Sequence, residues 1–468
     1  MATSYTIILD CGSTSTRAHI YATQSDGRTS VVKDGSSEED ALSLMVEPGL
    51  ATIAPSDVDA YVKPLLFDIQ AFVPPAAHRQ TRLRALATGG MRLRSSAQQQ
   101  LIWRAVRTAV RTHTVFEHRE ADAMTLSGNF EAAFYWLALT RAIDQSAAIG
   151  GLDLGGASLQ IAFSMPHPSD AILADAYRLT RNGSTSRLYA HSYMNYGQDA
   201  ATSRRYALIV SDHSNGLDAP PTASTRLPDP CLHRGYNVSV STSSLYTFYG
   251  VGDWSACARY AQRLVHNDYE CTLPPCGAMG VYQPPINNVR FIAGSGFFYT
   301  VRGLGLLSGS DGSWQGSFSQ IAKAGRAYCS RQWSDVHADV GRYAANYCWA
   351  SAWVPTLLAS LNFDAEQTSI TYAHQLNGMD ISWALGAQIY YDAEQRCELA
   401  SAAASSSSYS GATAINLLSL EGAARGSESV LFVLGWPAAL ALGCFLGSRM
   451  RPAWAWRRAY DSVEGARV

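Results

Sequence analysis

The stretch IILDCGSTSTRAHIY near the start of the chain is written a second time, in altered form, as GGLDLGGASLQIAF. Laying Asp10 on Asp153 sets a shift of 153 − 10 = 143 residues, which puts Gly12 on Gly155, Ser13 on Gly156, Thr14 on Ala157 and Ser15 on Ser158, with Tyr21 near Phe163. Each copy reads as an apolar strand, a tight turn of small residues and a second alternating strand. That is a β-hairpin whose tip permits close backbone approach. Two such tips can face each other. Backbone amides of a glycine-bearing turn form an anion nest, hydroxyls add donors, and an aspartate beside each turn can hold a divalent cation through water. The pair therefore predicts a phosphate-and-metal site built twice, where one copy alone would be an ordinary strand-to-turn signal.

The 468-residue chain is long enough for two or three domains with cores of their own. Apolar residues make up 47% of it, and 37 glycines beside 24 tyrosines suit an α/β protein rich in turns. Net charge is −2 and no basic block precedes residue 449, which excludes the cationic face that nucleic-acid binding needs. There is no GxxxxGK[ST], so a P-loop enzyme is excluded as well.

Residues 430–446, VLFVLGWPAALALGCFL, carry no charge and are near the lower length limit of a membrane span. Arg449, Arg451, Arg457 and Arg458 follow, and a basic flank normally stays cytoplasmic. The expectation is a Ser-rich linker over 399–427, one transmembrane helix over 428–448 and a cytosolic tail over 449–468; a buried core helix is the alternative.

Six of the nine cysteines fall between 231 and 348 with no CxxC pair, which favours disulfides over zinc. The sequons at Asn182 and Asn237 agree with an oxidising, lumenal or extracellular setting. Only MATSYT precedes the first strand, so that setting calls for a leader or anchor upstream of residue 1; a tail-anchored cytosolic enzyme is the other possibility.

Taken in order, DCGSTSTRAHIY, ALATGGMRLR, SGNFEAAFYW, LDLGGASLQIAF and, after FIAGSGFFYT, ISWALGAQI make a set that resembles the apyrase, or nucleoside triphosphate diphosphohydrolase, family. RLYAHSYMNYGQDAA, PDPCLHRGYN and CGAMGVYQPP match between them, so the likeness covers roughly residues 5 to 390. The resemblance implies an α/β actin-like fold of two ribonuclease-H-like lobes with the active site in the cleft: lobe I over 1–127, completed by about 375–398, and lobe II over 128–374. It also implies hydrolysis of the terminal phosphate of nucleoside tri- and diphosphates with Ca2+ or Mg2+. A non-catalytic nucleotide-binding or adhesion ectodomain, or another phosphohydrolase of the same fold such as an exopolyphosphatase, is the alternative.

Carried over position by position, Asp10 and Asp153 would hold the metal through its waters. Glu131 would be the base, with Ser158 and Gln160 positioning the attacking water. Gly12, Ser13, Thr14, Thr88, Gly89 and the Gly155-Gly156-Ala157 turn would bind phosphates. On the residues alone, Glu131 reads as the first-turn acid of a helix starting near Phe130 with Asn129 as N-cap, and Arg92 as a structural cation pairing with a carboxylate. Tyr299 resembles a nucleobase-stacking aromatic, but Phe297, Phe298 and Tyr299 also suit a core strand. Trp383 reads as packing beneath the site.

The chain departs from the family around the base, with Phe130 for an acidic neighbour, Ala132 for glycine and Tyr135 for the glycine before the tryptophan. Gly89 for alanine and Leu159 for threonine are milder changes. With proximity along the chain, the resemblance implies Cys231–Cys257, Cys271–Cys276 and Cys329–Cys348 as disulfides, and Cys11 as a free buried thiol. Cys444 would lie in the membrane, and Cys397 has no evident partner. The localisation expected is a single-pass membrane protein with its catalytic part in the secretory lumen or outside the cell.

Overall fold

The computed structural model describes residues 3–407 except 26–27, 33–43, 144–147, 166–175, 182–183, 215–224, 242–243, 266–268, 309–311, 341–342 and 367–369. The proposed transmembrane span, the tail, Cys444 and the Asn182 sequon lie outside the described residues. Among the described residues, no helix is long and apolar enough to cross a membrane.

Two compact units divide the chain. One comprises 1–177 and 187–388; the other comprises 178–186 and 389–468. Of the second, the described residues form strand ends and the C-terminal part of the helix Trp383–Ser407. The helix therefore runs into the expected linker, over residues 399–407, because Ala, Glu and Gln between Ala393 and Ala404 favour helix more than the following serines oppose it.

The larger unit holds two sheets of the same topology. In the first, the order is Thr29–Val31, Thr16–Thr23, Ser4–Cys11, Arg82–Ala87, Ala123–Thr125. In the second, the corresponding run is Ser184–Met194, Ser158–Ser164, Ile149–Leu154, Arg290–Ser295, Ile370–Tyr372. The central strand of each pairs antiparallel with the strand that follows it and parallel with a later one. Registers make the equivalence quantitative. Asp10 lies opposite Arg17 and Asp153 opposite Gln160, and 160 − 17 repeats the shift of 143. Ile20, not Tyr21, takes the place of Phe163, since Ile7 pairs Ile20 as Gly150 pairs Phe163.

Each central strand is apolar on both faces, as parallel strands covered by helices must be. Ile149–Leu154 is buried throughout, and Ile7, Leu9, Ile20, Leu83 and Ala85 anchor the first core against the helices Val58–Gln70 and Ser96–His113. The second core is built around Leu152, Ile161, Phe163 and Phe291, with Trp349 and Trp353 stacked 5.4 Å apart on the helix Ala344–Ser360. That helix is apolar nearly all round and accordingly buried. Cys231–Cys257, Cys271–Cys276 and Cys329–Cys348 are joined as disulfides, and Cys11 is a buried free thiol.

Two local expectations need correction. The helix carrying Glu131 spans Gly128–Ala142 and is capped by Ser127, whose Oγ accepts from the Phe130 amide at 3.2 Å. Asn129 instead donates to the Tyr177 hydroxyl at 3.0 Å. Both are good capping residues, and the one whose oxygen reaches the third helical amide wins. GFFYT is a helix, Gly296–Gly303, not a core strand: the strand Arg290–Ser295 ends at Ser295, whose φ of 51° turns the chain.

Candidate active site

Both aspartates sit at the carboxyl ends of central strands, where open α/β sheets bind their ligands. Each is followed by its turn. Ser13 and Gly156 lie so close that a Cβ on Gly156 would fall on the Ser13 hydroxyl, so the two tips face each other. Gly89 completes the contact, since a Cβ there would meet the Ala157 Cβ at 2.8 Å and Ser158 Oγ at 3.0 Å. A cavity of about 400 Å³ opens beside the tips, lined by Ser13, Thr14, Gly90, Arg94, Gly156 and Asp199.

The expected donors are not all available. The Gly155 amide donates to the Ser158 carbonyl at 3.0 Å within its own turn, which corrects its assignment to phosphate and leaves the Gly156 and Ala157 amides for that role. The amides of Asp199 and Ala200 both donate to the Gly156 carbonyl at 3.0 Å, tying the turn to the start of the helix Gln198–Ser214. Thr88 ends the strand Arg82–Ala87 and precedes the short helix Gly89–Arg92, yet its side chain makes no capping bond, so its hydroxyl stays available to the cleft.

Glu131, Ser158 and Gln160 are joined through Arg92. Its Nη1 donates to Glu131 Oε2 at 2.8 Å and to the Leu126 carbonyl at 3.1 Å, and its Nη2 donates to Ser158 Oγ at 2.9 Å. The carboxylate Arg92 pairs with is thus the candidate base itself. Gln160 Nε2 donates to Ser158 Oγ at 2.7 Å and to Ser192 Oγ at 3.0 Å. Both amide hydrogens are then engaged, and Gln160 Oε1 remains a buried acceptor with no partner. Ser158 Oγ accepts twice, so its own hydrogen is left to donate. An acceptor and a donor side by side make a seat for one water.

Electrostatics agree with general-base chemistry near neutrality. Burial pushes Glu131 up to about 7, with Asp153 and Asp10 adding to the rise and Arg92 opposing it. Asp10 is likewise raised to about 7 by burial, against Arg17 and with Asp153. Burial also raises Asp153, opposed by a hydrogen bond from Ser295. Three carboxylates crowded in this way call for a cation. Among the described residues, no three His, Cys, Asp or Glu side chains converge closely enough to hold an ion directly. The buried Asp10 Oδ1 and Asp153 Oδ1, both without a partner, fit a divalent ion held through its waters.

Ser192 and Met194 were missed by sequence reasoning. Ser192 faces Gln160 across the Ser184–Met194 and Ser158–Ser164 pair, and Met194 Sδ accepts from Arg92 Nε at 3.3 Å. Period-two alternation in YAHSYM was the available signal, but nothing local connects it to Gln160. Tyr299 is 42% exposed, with its ring 5.4 Å from Phe298 and 6.4 Å from His374. Trp383 is buried at the start of its helix.

Facing hairpin tips, a buried carboxylate and a water seat define a phosphohydrolase-like site on a mixed α/β scaffold. The comparisons give the class its name: the model of the GDA1/CD39 (nucleoside phosphatase) family matches residues 1–403, and the chain belongs to that family. It is accordingly a hydrolase. Ectonucleoside triphosphate diphosphohydrolase 8 of Bos taurus is 30% identical, the alignment covering 82% of this chain and 81% of that protein. An Arabidopsis thaliana protein named "Probable apyrase 6" is 27% identical over 84% of this chain and 73% of its own length. The crystal structure of nucleoside triphosphate hydrolases from Neospora caninum superposes with a TM-score of 0.57, covering 83% of this chain and 92% of that one at 14% identity, and so shares the fold. Family membership weighs against the non-catalytic alternative.

Proposed function

We infer that the protein hydrolyses the terminal phosphate of nucleoside tri- and diphosphates, on two ribonuclease-H-like lobes of actin-like type, with a hydrated Ca2+ or Mg2+. The observation that carries this reading is the Arg92-linked set of Glu131, Ser158 and Gln160 beside two unpartnered aspartate oxygens. Ser13, Thr14, Thr88, Gly89 and the Gly156 and Ala157 amides crowd donors on the phosphate oxygens, where their fixed positions favour the charge that develops in reaction. Gly12 lets the first turn close. Gln160 Oε1 accepts from the attacking water, the Ser158 hydroxyl donates to it, and ionised Glu131 takes its proton. Attack is in line on phosphorus, with no covalent enzyme intermediate, so the protein contributes mostly orientation. The bound cation supplies charge neutralisation on the phosphates.

Tyr299, exposed on the helix Gly296–Gly303, is the candidate stacking surface for the nucleobase, a role that tolerates any base. Three disulfides and the exposed sequon at Asn237 support a lumenal or extracellular catalytic part, anchored through residues 428–448. Glu131→Ala tests the reading most simply. It should lower kcat by about 10²–10⁴ with little change in nucleotide affinity, and the wild-type rate should rise with pH through about 7 as Glu131 ionises. Wild-type turnover in that variant would refute the assignment.

A further inference from the structure

Tyr135 stands where the family resemblance expects glycine, and it is 1% exposed. It lies four residues beyond Glu131 on the helix Gly128–Ala142, hence on the same helical face one turn along. Its ring crosses Gly151, where a Cβ would come within 2.7 Å of Tyr135 Cδ1. Its hydroxyl occupies the place of a Gly294 side chain, since a Cβ on Gly294 would fall on it. These two glycines locate the phenol relative to the site. Gly151 and Asp153 are two residues apart on one strand and point to the same face of the sheet. Gly294 is the parallel partner of Asp153, so the phenol oxygen sits in the side-chain position next to the Asp153 carboxylate.

Two buried polar atoms therefore stand as neighbours, each without a partner: the Tyr135 hydroxyl and Asp153 Oδ1. A phenol O–H is a donor throughout the neutral range, and an ionised carboxylate only accepts. They make no direct hydrogen bond, and a site lined by such groups is where a buried water is held. A buried hydroxyl left unsatisfied destabilises a core by about 1–3 kcal/mol, so a phenol in a cradle of two glycines calls for a polar partner.

We propose that Tyr135 is a positioning residue for the metal-side carboxylate, donating through one bound water to Asp153 and so fixing its orientation toward the cation. The role belongs to this chain's tyrosine and rests on Asp153 holding the ion's waters. Groups that orient metal-side carboxylates commonly change metal affinity by about 10–100-fold when removed. Tyr135→Phe removes only the hydroxyl and keeps the ring between the glycines.

The test is Mn2+ binding to the full chain without nucleotide, read from the electron paramagnetic resonance of free Mn2+, for wild type, Tyr135→Phe and Asp153→Asn, alongside thermal unfolding of the metal-free proteins. Tyr135→Phe should weaken Mn2+ about tenfold while its metal-free unfolding midpoint falls only slightly, as the loss of one hydrogen bond requires. Wild-type Mn2+ affinity in Tyr135→Phe, with affinity lost in Asp153→Asn, would overturn the role of Tyr135 and leave Asp153 standing. If neither substitution moves the affinity, both assignments fall. A metal-free midpoint lowered far beyond the loss of one hydrogen bond, accompanying the affinity loss, would mark the hydroxyl as a packing contact and also overturn the proposal.

Discussion

The two hairpins share a backbone and divide the chemistry. Under the shift of 143, Ser15 and Ser158 are equivalent, and both are buried, at 5% and 2% exposure. Only Ser158 joins the Arg92 network. Across the hairpins, Arg17 is the counterpart of Gln160, yet Arg17 is exposed and donates from Nε to Met45 Sδ at 3.3 Å, whereas Gln160 is 1% exposed and bridges Ser158 to Ser192. The outer neighbours explain the contrast. The strand Thr16–Thr23 is flanked at its tip by the short strand Met45–Val46, which covers only Thr16 and Arg17. The strand Ser158–Ser164 is paired along its whole length by Ser184–Met194. Beside the short strand the Arg17 side chain stays exposed at the tip, while the far end of its strand is paired by Thr29–Val31; beside the long strand the buried Gln160 finds a partner in Ser192. On the proposed function, one supersecondary unit would supply phosphate donors in its first use and a water seat in its second.

The comparison breaks most visibly at the equivalent serines. Ser158→Ala should lower kcat/KM by about 10²–10³, the scale of losing one preorganised donor. Ser15→Ala should stay within about threefold, as a substitution outside that network. Equal losses would mean that the hairpins are functionally interchangeable. Next in size is the contact between the tips. Gly156→Ala drives a Cβ into Ser13 Oγ and within 2.5 Å of Asp199 Oδ2, so the Ser13 and Asp199 side chains must move from their places at the tips. A loss of about 10–10² in kcat/KM with preserved circular dichroism is expected, and unchanged kinetics would show that the tips do not clamp one substrate.

The smallest effect is on stability. Burial raises Asp10 to about 7, against Arg17 and with Asp153, while an unfolded aspartate titrates near its ordinary value. Between those two values the folded protein holds a proton the unfolded chain lacks, so stability falls as pH rises and the full penalty is present above about 7. Asp10→Asn should therefore stabilise the metal-free protein at pH ~8 by about 1–3 kcal/mol, a gain that shrinks as pH falls toward ~4. Urea unfolding in chelator at several pH values checks this. A variant less stable than wild type across the range would place Asp10 in a satisfied environment.

The hairpins were legible because strand, turn and strand are contiguous, and the aspartates stand at fixed places within them. Glu131 was legible from the helix start only as a first-turn acid; its candidacy as base came from the family resemblance. What local pattern did not carry was nonlocal pairing. Arg92 and Ser192 meet Ser158 and Gln160 only because separate strands and a short helix converge. Nor does turn composition say which amides the turn uses internally, and Gly155 is lost to phosphate for that reason. The helix start moved because Ser127 and Asn129 are both competent caps, and only the folded backbone decides between them.

That both hairpins serve one cation is the central claim, and a double-mutant cycle on Asp10→Asn and Asp153→Asn tests it, with Mn2+ affinity and kcat/KM as paired readouts. Residues acting on one ion couple strongly, so the double variant should be little worse than the more damaging single one, with a coupling free energy of about 1–3 kcal/mol. Fully additive losses in both readouts would contradict the account and assign the two aspartates to separate sites.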